Sequence, residues 1–121
     1  MPNVKTLVFI IDKPLHGDIR AQEFLDMAMM AAAFGQRVVV VFEGSGVYGL
    51  IKEQRADVLG LKNITPVLSA LSVYDIHDIL VEQESMLLKG VDESQLGIAV
   101  SVQSRSEIKQ TIDSANHLFS F

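Results

Sequence analysis

Three glycines, Gly44, Gly46 and Gly49, stand at G-x-G-x-x-G spacing directly after Val38-Val39-Val40-Val41-Phe42. In a dinucleotide-binding protein this spacing lets the backbone turn tightly and brings a helix N-terminus up to a pyrophosphate. The same site needs a packed helix after the glycines and an acid about 20 residues on that holds a ribose hydroxyl. Neither condition is met. The apolar face after Leu50-Ile51 gives out at Lys52-Glu53-Gln54-Arg55-Ala56-Asp57, and the next strand ends only at Glu82. The glycines therefore read as a tight strand-to-helix turn.

Other chemistry is excluded residue by residue. Cysteine is absent, which removes disulfides, thiolate metal sites and a cysteine nucleophile. Gly44-Ser45-Gly46 does not match the G-x-S-x-G elbow of a serine hydrolase. No second histidine stands at a helical ligand spacing from His16, His77 or His117, so no metal site is expected and His77 beside Asp75 and Asp78 reads as a solvated polar residue. A phospho-accepting receiver of this length needs an aspartate after the third strand and a lysine on the fifth. Here the residues are Glu82 and Leu118 to Phe121, and that reading fails. The formal charge of −5, with basic residues scattered singly, argues against a general phosphate-binding surface, and no direct nucleic-acid contact is expected.

The elements that position these residues follow from hydrophobic pattern. Residues Val4 to Ile11 and Val38 to Phe42 are apolar almost throughout, as strands buried on both faces of a parallel sheet should be. Pro14 and Gly17 mark a loop after the first strand, and Asp18 is placed to cap a helix from Ile19 to Phe34, stopped by Gly35. Its first half is amphipathic, with Ile19, Phe24, Leu25 and Ala28 inward. Its second half, Met27 to Phe34, has no polar residue on any face, which signals burial from two directions. Either a helix of the same domain covers it or a subunit does, with Met27, Met30 and Phe34 at the interface.

Thr65-Pro66 opens a helix through Val73, and Tyr74-Asp75 turns the chain. Ile76 to Val81, reaching Glu82, is a third strand. A short helix from Glu84 to Lys89 ends at Gly90, and Ile98 to Val102 is a fourth strand. Ser104 and Glu107 have capping-box spacing before a helix that buries Ile108, Ile112 and Ala115, and His117 to Phe121 is the last strand. The alternation predicts one α/β domain over 1–121, a three-layer α/β/α arrangement with a mostly parallel five-stranded sheet. No apolar run approaches the ~20 residues of a membrane span, and Met1 to Lys5 has no secretory character, so a cytoplasmic, membrane-free protein is expected.

Four segments in order resemble one family, the DsrE/DsrF-like sulfur-relay proteins, and within it the TusC/DsrF branch. They are Lys13-Pro14-Leu15-His16-Gly17, Phe42 to Leu50, Leu71-Ser72-Val73-Tyr74-Asp75-Ile76, and Leu118-Phe119-Ser120-Phe121. The resemblance implies a cofactor-free subunit in a heterohexamer with TusB-like and TusD-like (DsrH/DsrE-like) partners, passing persulfide sulfur toward 2-thiouridine at the tRNA wobble position. A DsrF-like role in sulfur oxidation and a homo-oligomeric small-molecule-binding relative are the alternatives. The family's working cysteine lies after the third strand, before a short helix ended by glycine. Counting back from Gly90 puts Glu82 there, and a carboxylate cannot carry a persulfide, so no catalytic residue is expected in this chain. Glu82 then either tunes a partner's thiolate or is a solvated strand end. Pro14, His16, Gly17, Gly46, Val47 and Tyr48 are the residues expected at a pocket or interface.

Overall fold

In a computed structural model, residues 4–14, 19–51 and 65–121 are described, the side chains of 65–67 excepted. Five strands form one sheet: β1 (Thr6–Ile11), β2 (Arg37–Phe42), β3 (Asp78–Glu82), β4 (Ser101–Gln103) and β5 (His117–Ser120). Their order is β4-β3-β2-β1-β5, and every pairing is parallel. The helices are α1 (Ile19–Ala33), α2 (Thr65–Ala70), α3 (Gln83–Lys89) and α4 (Arg105–Ser114), with 3-10 segments at Gly44–Leu50, Leu71–Tyr74 and Glu93–Gln95.

Alternation along the strands divides the core in two. Phe9, Ile11, Val38, Val40, Phe42, Ile79 and Val81 meet Leu25 and Ala28 of α1, Leu68 of α2 and Met86 of α3. Val8, Ile10, Val39, Val41 and Leu80 face the other way, onto Ile108 of α4. The result is the three-layer α/β/α arrangement, with the valine strand β2 buried on both faces between β1 and β3. Rings of Phe9 and Phe119 stack across the β1–β5 pair at 4.9 Å.

Several boundaries differ from those the sequence suggests. The helix opened at Thr65 tightens into a 3-10 turn at Leu71 and ends at Asp75 in the left-handed conformation, φ 62°. The Ile76 N–H then donates back to the Leu71 carbonyl at 3.0 Å, so the chain joins the sheet two residues late, at Asp78. β4 begins at Ser101 because only Leu80, Val81 and Glu82 of β3 offer it partners. Ile19, expected inward, is 67% exposed, whereas Ala21 is fully buried and takes that inner position.

The capping box is formed: Ser104 Oγ accepts from the Glu107 N–H at 3.2 Å, and Glu107 Oε1 accepts from the Ser104 N–H at 2.9 Å. The Ser104 N–H, with the Ser104 hydroxyl adding to it, holds the Glu107 carboxyl below its usual value. Ser104→Ala is expected to lower stability by about 1 kcal/mol, read as a shifted urea midpoint with unchanged slope.

Candidate functional site

The registers pair Ile11 with Phe42 and Phe42 with Val81. The next residues on these three strands are Asp12, Glu43 and Glu82, all acidic. Each lies two positions after a residue that faces α4, namely Ile10, Val41 or Leu80, so the alternation sets all three toward that side. Three carboxylates thus stand in a row across the C-terminal edge of the sheet, where open α/β folds bind ligands.

Glu82 is not a solvated strand end. It is 4% exposed, and its carboxylate takes three side-chain hydrogen bonds. Arg105 donates from Nε to Oε2 at 3.1 Å and from Nη2 to Oε1 at 3.0 Å, and Ser85 Oγ donates to Oε1 at 2.5 Å. Ser85 Oγ in turn accepts from the Gly44 N–H at 2.8 Å, and Glu84 Oε1 accepts from the Arg105 N–H at 2.8 Å. One buried anion therefore ties together the end of β3, the first turns of α3 and α4, and the turn after β2.

Arg105 holds the Glu82 carboxyl below its ordinary value, outweighing the effect of burial, and Ser85 adds to the lowering. Glu43, half-buried, is pushed the other way, first by burial and then by the charges of Glu82 and Asp12, with Arg105 opposing. Asp12 lies 3.4 Å from Lys13 Nζ, which also donates to the Phe121 carbonyl at 3.1 Å.

The glycine turn is occupied by its own chain. A Cβ at Gly46 would stand 2.2 Å from the Ile11 carbonyl oxygen, so this glycine answers to a backbone crossing. The Gly46 N–H donates to the Glu43 carbonyl at 2.9 Å, and that of Gly44 is held by Ser85. These two N–H groups, of the kind that would cradle a phosphate, are spent internally, beside three carboxylates.

Of the residues expected at a pocket or interface, Gly46 and Val47 are buried in the chain's own core. Tyr48 is 39% exposed, and its hydroxyl donates to the Lys89 carbonyl at 3.5 Å. Pro14 is exposed in the loop after β1, and His16 and Gly17 lie outside the described residues. Also outside them are the Asp18 cap and the stretch from Lys52 to Asp57. His77 stands apart from the carboxylate row, exposed, with Nε2 3.7 Å from Asp75 Oδ1. Among the described residues, no three His, Cys, Asp or Glu side chains are grouped to hold a metal, and no helix is long and apolar enough to cross a membrane.

Nothing in the described chain covers the outer face of the apolar half of α1. Met27, Met30 and Phe34 are 49, 62 and 79% exposed, and with Leu7, Phe9 and Phe119 they rim a hollow of about 300 Å³ beside β1 and β5. Sequence reasoning missed Arg105 and Ser85. Ser85 follows Glu82 by three residues, a recognisable spacing at a helix start, but the separation of 23 positions from Glu82 to Arg105 carries no local signal.

The DsrE/DsrF-like family profile matches residues 5–121. A protein called "Protein TusC homolog" from Vibrio parahaemolyticus is 29% identical over 115 residues, which span 95% of this chain and 98% of that protein. The "Intracellular sulfur oxidation protein DsrF" of Allochromatium vinosum is 33% identical over 93 residues, 77% of this chain and 68% of that one. Among solved structures, the ychN protein of E. coli superposes with a TM-score of 0.77 at 15% identity, over 98% of this chain and 99% of the other, so the two share a fold. Strand order, parallel pairing and a sequence match running almost end to end agree: the chain belongs to the DsrE/DsrF-like family.

Proposed function

We propose that this chain is a TusC-type subunit of a sulfur-relay hetero-oligomer, serving by assembly rather than by carrying sulfur. The observation that carries this reading is the Glu82 site. At the strand end where the resemblance places a working cysteine, this chain has a buried carboxylate bound by Arg105 and Ser85. Its other candidate nucleophiles are no substitute, because Ser85 Oγ is engaged on both sides and the chain has no cysteine. Two names support the class of complex, TusC for the Vibrio relative and DsrF for the Allochromatium one. The exposed apolar face of α1 gives a subunit of this kind a surface to bury.

Within that reading the partners are TusB-like and TusD-like subunits, and the pathway is 2-thiolation of the tRNA wobble uridine. The DsrF relative makes a sulfur-oxidation complex the second reading. Co-expression with TusB-like and cysteine-bearing TusD-like chains tests both. The expected result is a stable hetero-oligomer in which mass spectrometry finds persulfide on the cysteine-bearing partner. Deleting this chain's gene should then abolish 2-thiouridine in tRNA. No binding of either partner would overturn the proposal, and intact 2-thiouridine would move the complex to the oxidation pathway.

A further inference from the structure

β3 and β4 stay together only from the pair Leu80 with Ser101 to the pair Glu82 with Gln103. Before that the two chains part. Ile98, Ala99 and Val100 have the apolar character of strand residues, yet none of them takes up a register with Asp78 or Ile79. The approach to β4 is held elsewhere: Leu96 bridges to Ile51, and the Gly97 N–H donates to the Leu50 carbonyl at 2.8 Å. Those two contacts tie it to the turn after β2 and keep the split open. A cleft of about 420 Å³ occupies the split, with α2 and the 3-10 turn after it as a third wall, a volume within the range of small-molecule sites.

The apolar lining comes from Leu68, Ile76, Ile79 and Ile98. Ser69, Ser72 and His77 bring hydroxyl and imidazole groups to the same space, and neither serine hydroxyl has a hydrogen-bond partner among the described residues. Charge nearby is already matched. Asp78 is held by Arg37 at 3.1 Å, and Asp75 lies 3.7 Å from His77 Nε2. Among the described residues, no Lys, Arg, Asp or Glu lines the cleft. An anion or cation entering it would give up hydration without meeting a counter-ion. A neutral ring compound would instead bury its ring on the aliphatic side chains and keep an oxygen at the serines and His77. We propose that the split between β3 and β4 is a binding site for such a molecule, a neutral ring-bearing compound with a hydroxyl or carbonyl group. Ile79 stands three residues before Glu82, about 10 Å along the strand, so this site is separate from the carboxylate row. It stands whether or not the chain assembles with unlike subunits.

The probe is 2-naphthol, which is neutral and fluorescent. Titrated against the full chain at neutral pH, it should bind saturably with a dissociation constant below about 1 mM. Ala99→Trp sets an indole into the split from an exposed position, and should weaken binding at least about tenfold while circular dichroism stays unchanged. Ser72→Ala should weaken it about three- to tenfold, the loss of one hydrogen bond. The same ring carrying a charge, as 2-naphthoate or 2-naphthylmethylammonium, should bind at least about tenfold more weakly than 2-naphthol. Absence of saturable binding overturns the site, and so does binding indifferent to both Ala99→Trp and Ser72→Ala. Equal binding of the three ring compounds overturns the class of ligand. Binding lost with Met30→Glu but kept with Ala99→Trp would belong to the hollow beside α1, and would overturn the proposal as well.

Discussion

Gly46→Ala is expected to lower stability by at least about 3 kcal/mol, beyond the usual 1–3 kcal/mol of overpacking. The added Cβ would fall 2.2 Å from the Ile11 carbonyl oxygen and 2.8 Å from its carbon. Both are backbone atoms of a buried central strand paired on either side, so neither can swing away as a side chain would. Relief requires moving the turn after β2. That displaces Val47 and Leu50 from the core and pulls the Gly44 N–H off Ser85. Denaturant unfolding with Gly44→Ala alongside gives the contrast. Gly44 has φ +54°, and an added Cβ there meets the Asp12 carbonyl oxygen only at 3.4 Å. Its cost is the ordinary αL penalty of roughly 1–2 kcal/mol. Equal losses at the two positions would mean that conformation, and not the crossing at Gly46, governs the turn.

Arg105→Ala is the second large effect, and its mark is a steeper gain in stability on mild acidification. In the unaltered chain the Glu82 carboxyl lies below its usual value of 4.5, so its stabilising contribution is present above that value and is lost as pH falls through the folded one. Without the guanidinium, burial dominates at Glu82, and Glu43 loses the one group that opposed its upward shift. An acid with a raised folded pKa destabilises while ionised and recovers as it takes a proton. Between pH 7 and pH 5 the variant should therefore gain more thermal stability on acidification than the unaltered chain, in which Glu43 is raised but Glu82 is lowered. At pH 7 the loss should exceed that of any other single surface-charge substitution, because it leaves a buried carboxylate without its cation. Adding Glu82→Met should return most of the loss and remove Glu82's part of the added slope, since an apolar pair in place of a buried ion pair is often neutral or stabilising. A variant with the same pH slope as the unaltered chain would show that Arg105 does not govern Glu82.

Much of the architecture was legible because local rules and the final fold agree. Val38 to Phe42 could only be a central strand, since five successive apolar residues need cover on both faces, and β2 has it. The Ser104–Glu107 box declared the start of α4, and Gly90 the end of α3, where it lies at φ 69°. The limits of β3 and β4 were less legible. A strand begins where a neighbour offers a register, and Ile76 and Ile98 are as apolar as true strand residues without having one.

The sequence by itself determined the layered α/β class, the lack of any cysteine chemistry, the family, and the α1 stripe too apolar for water on every side. These follow from composition and short-range pattern, which each residue carries wherever the chain goes. Only the tertiary structure decided what the candidate site is. Asp12, Glu43 and Glu82 are 31 and 39 residues apart in the chain, and parallel pairing alone sets them in one row. Arg105 reaches Glu82 across 23 residues, turning a strand end that reads as solvated into a buried, anchored anion. Gly46, read from its spacing as part of a phosphate loop or a turn, is required by a carbonyl 35 residues earlier. Charge, burial and steric contact depend on neighbours in space, and the sheet brings those neighbours together.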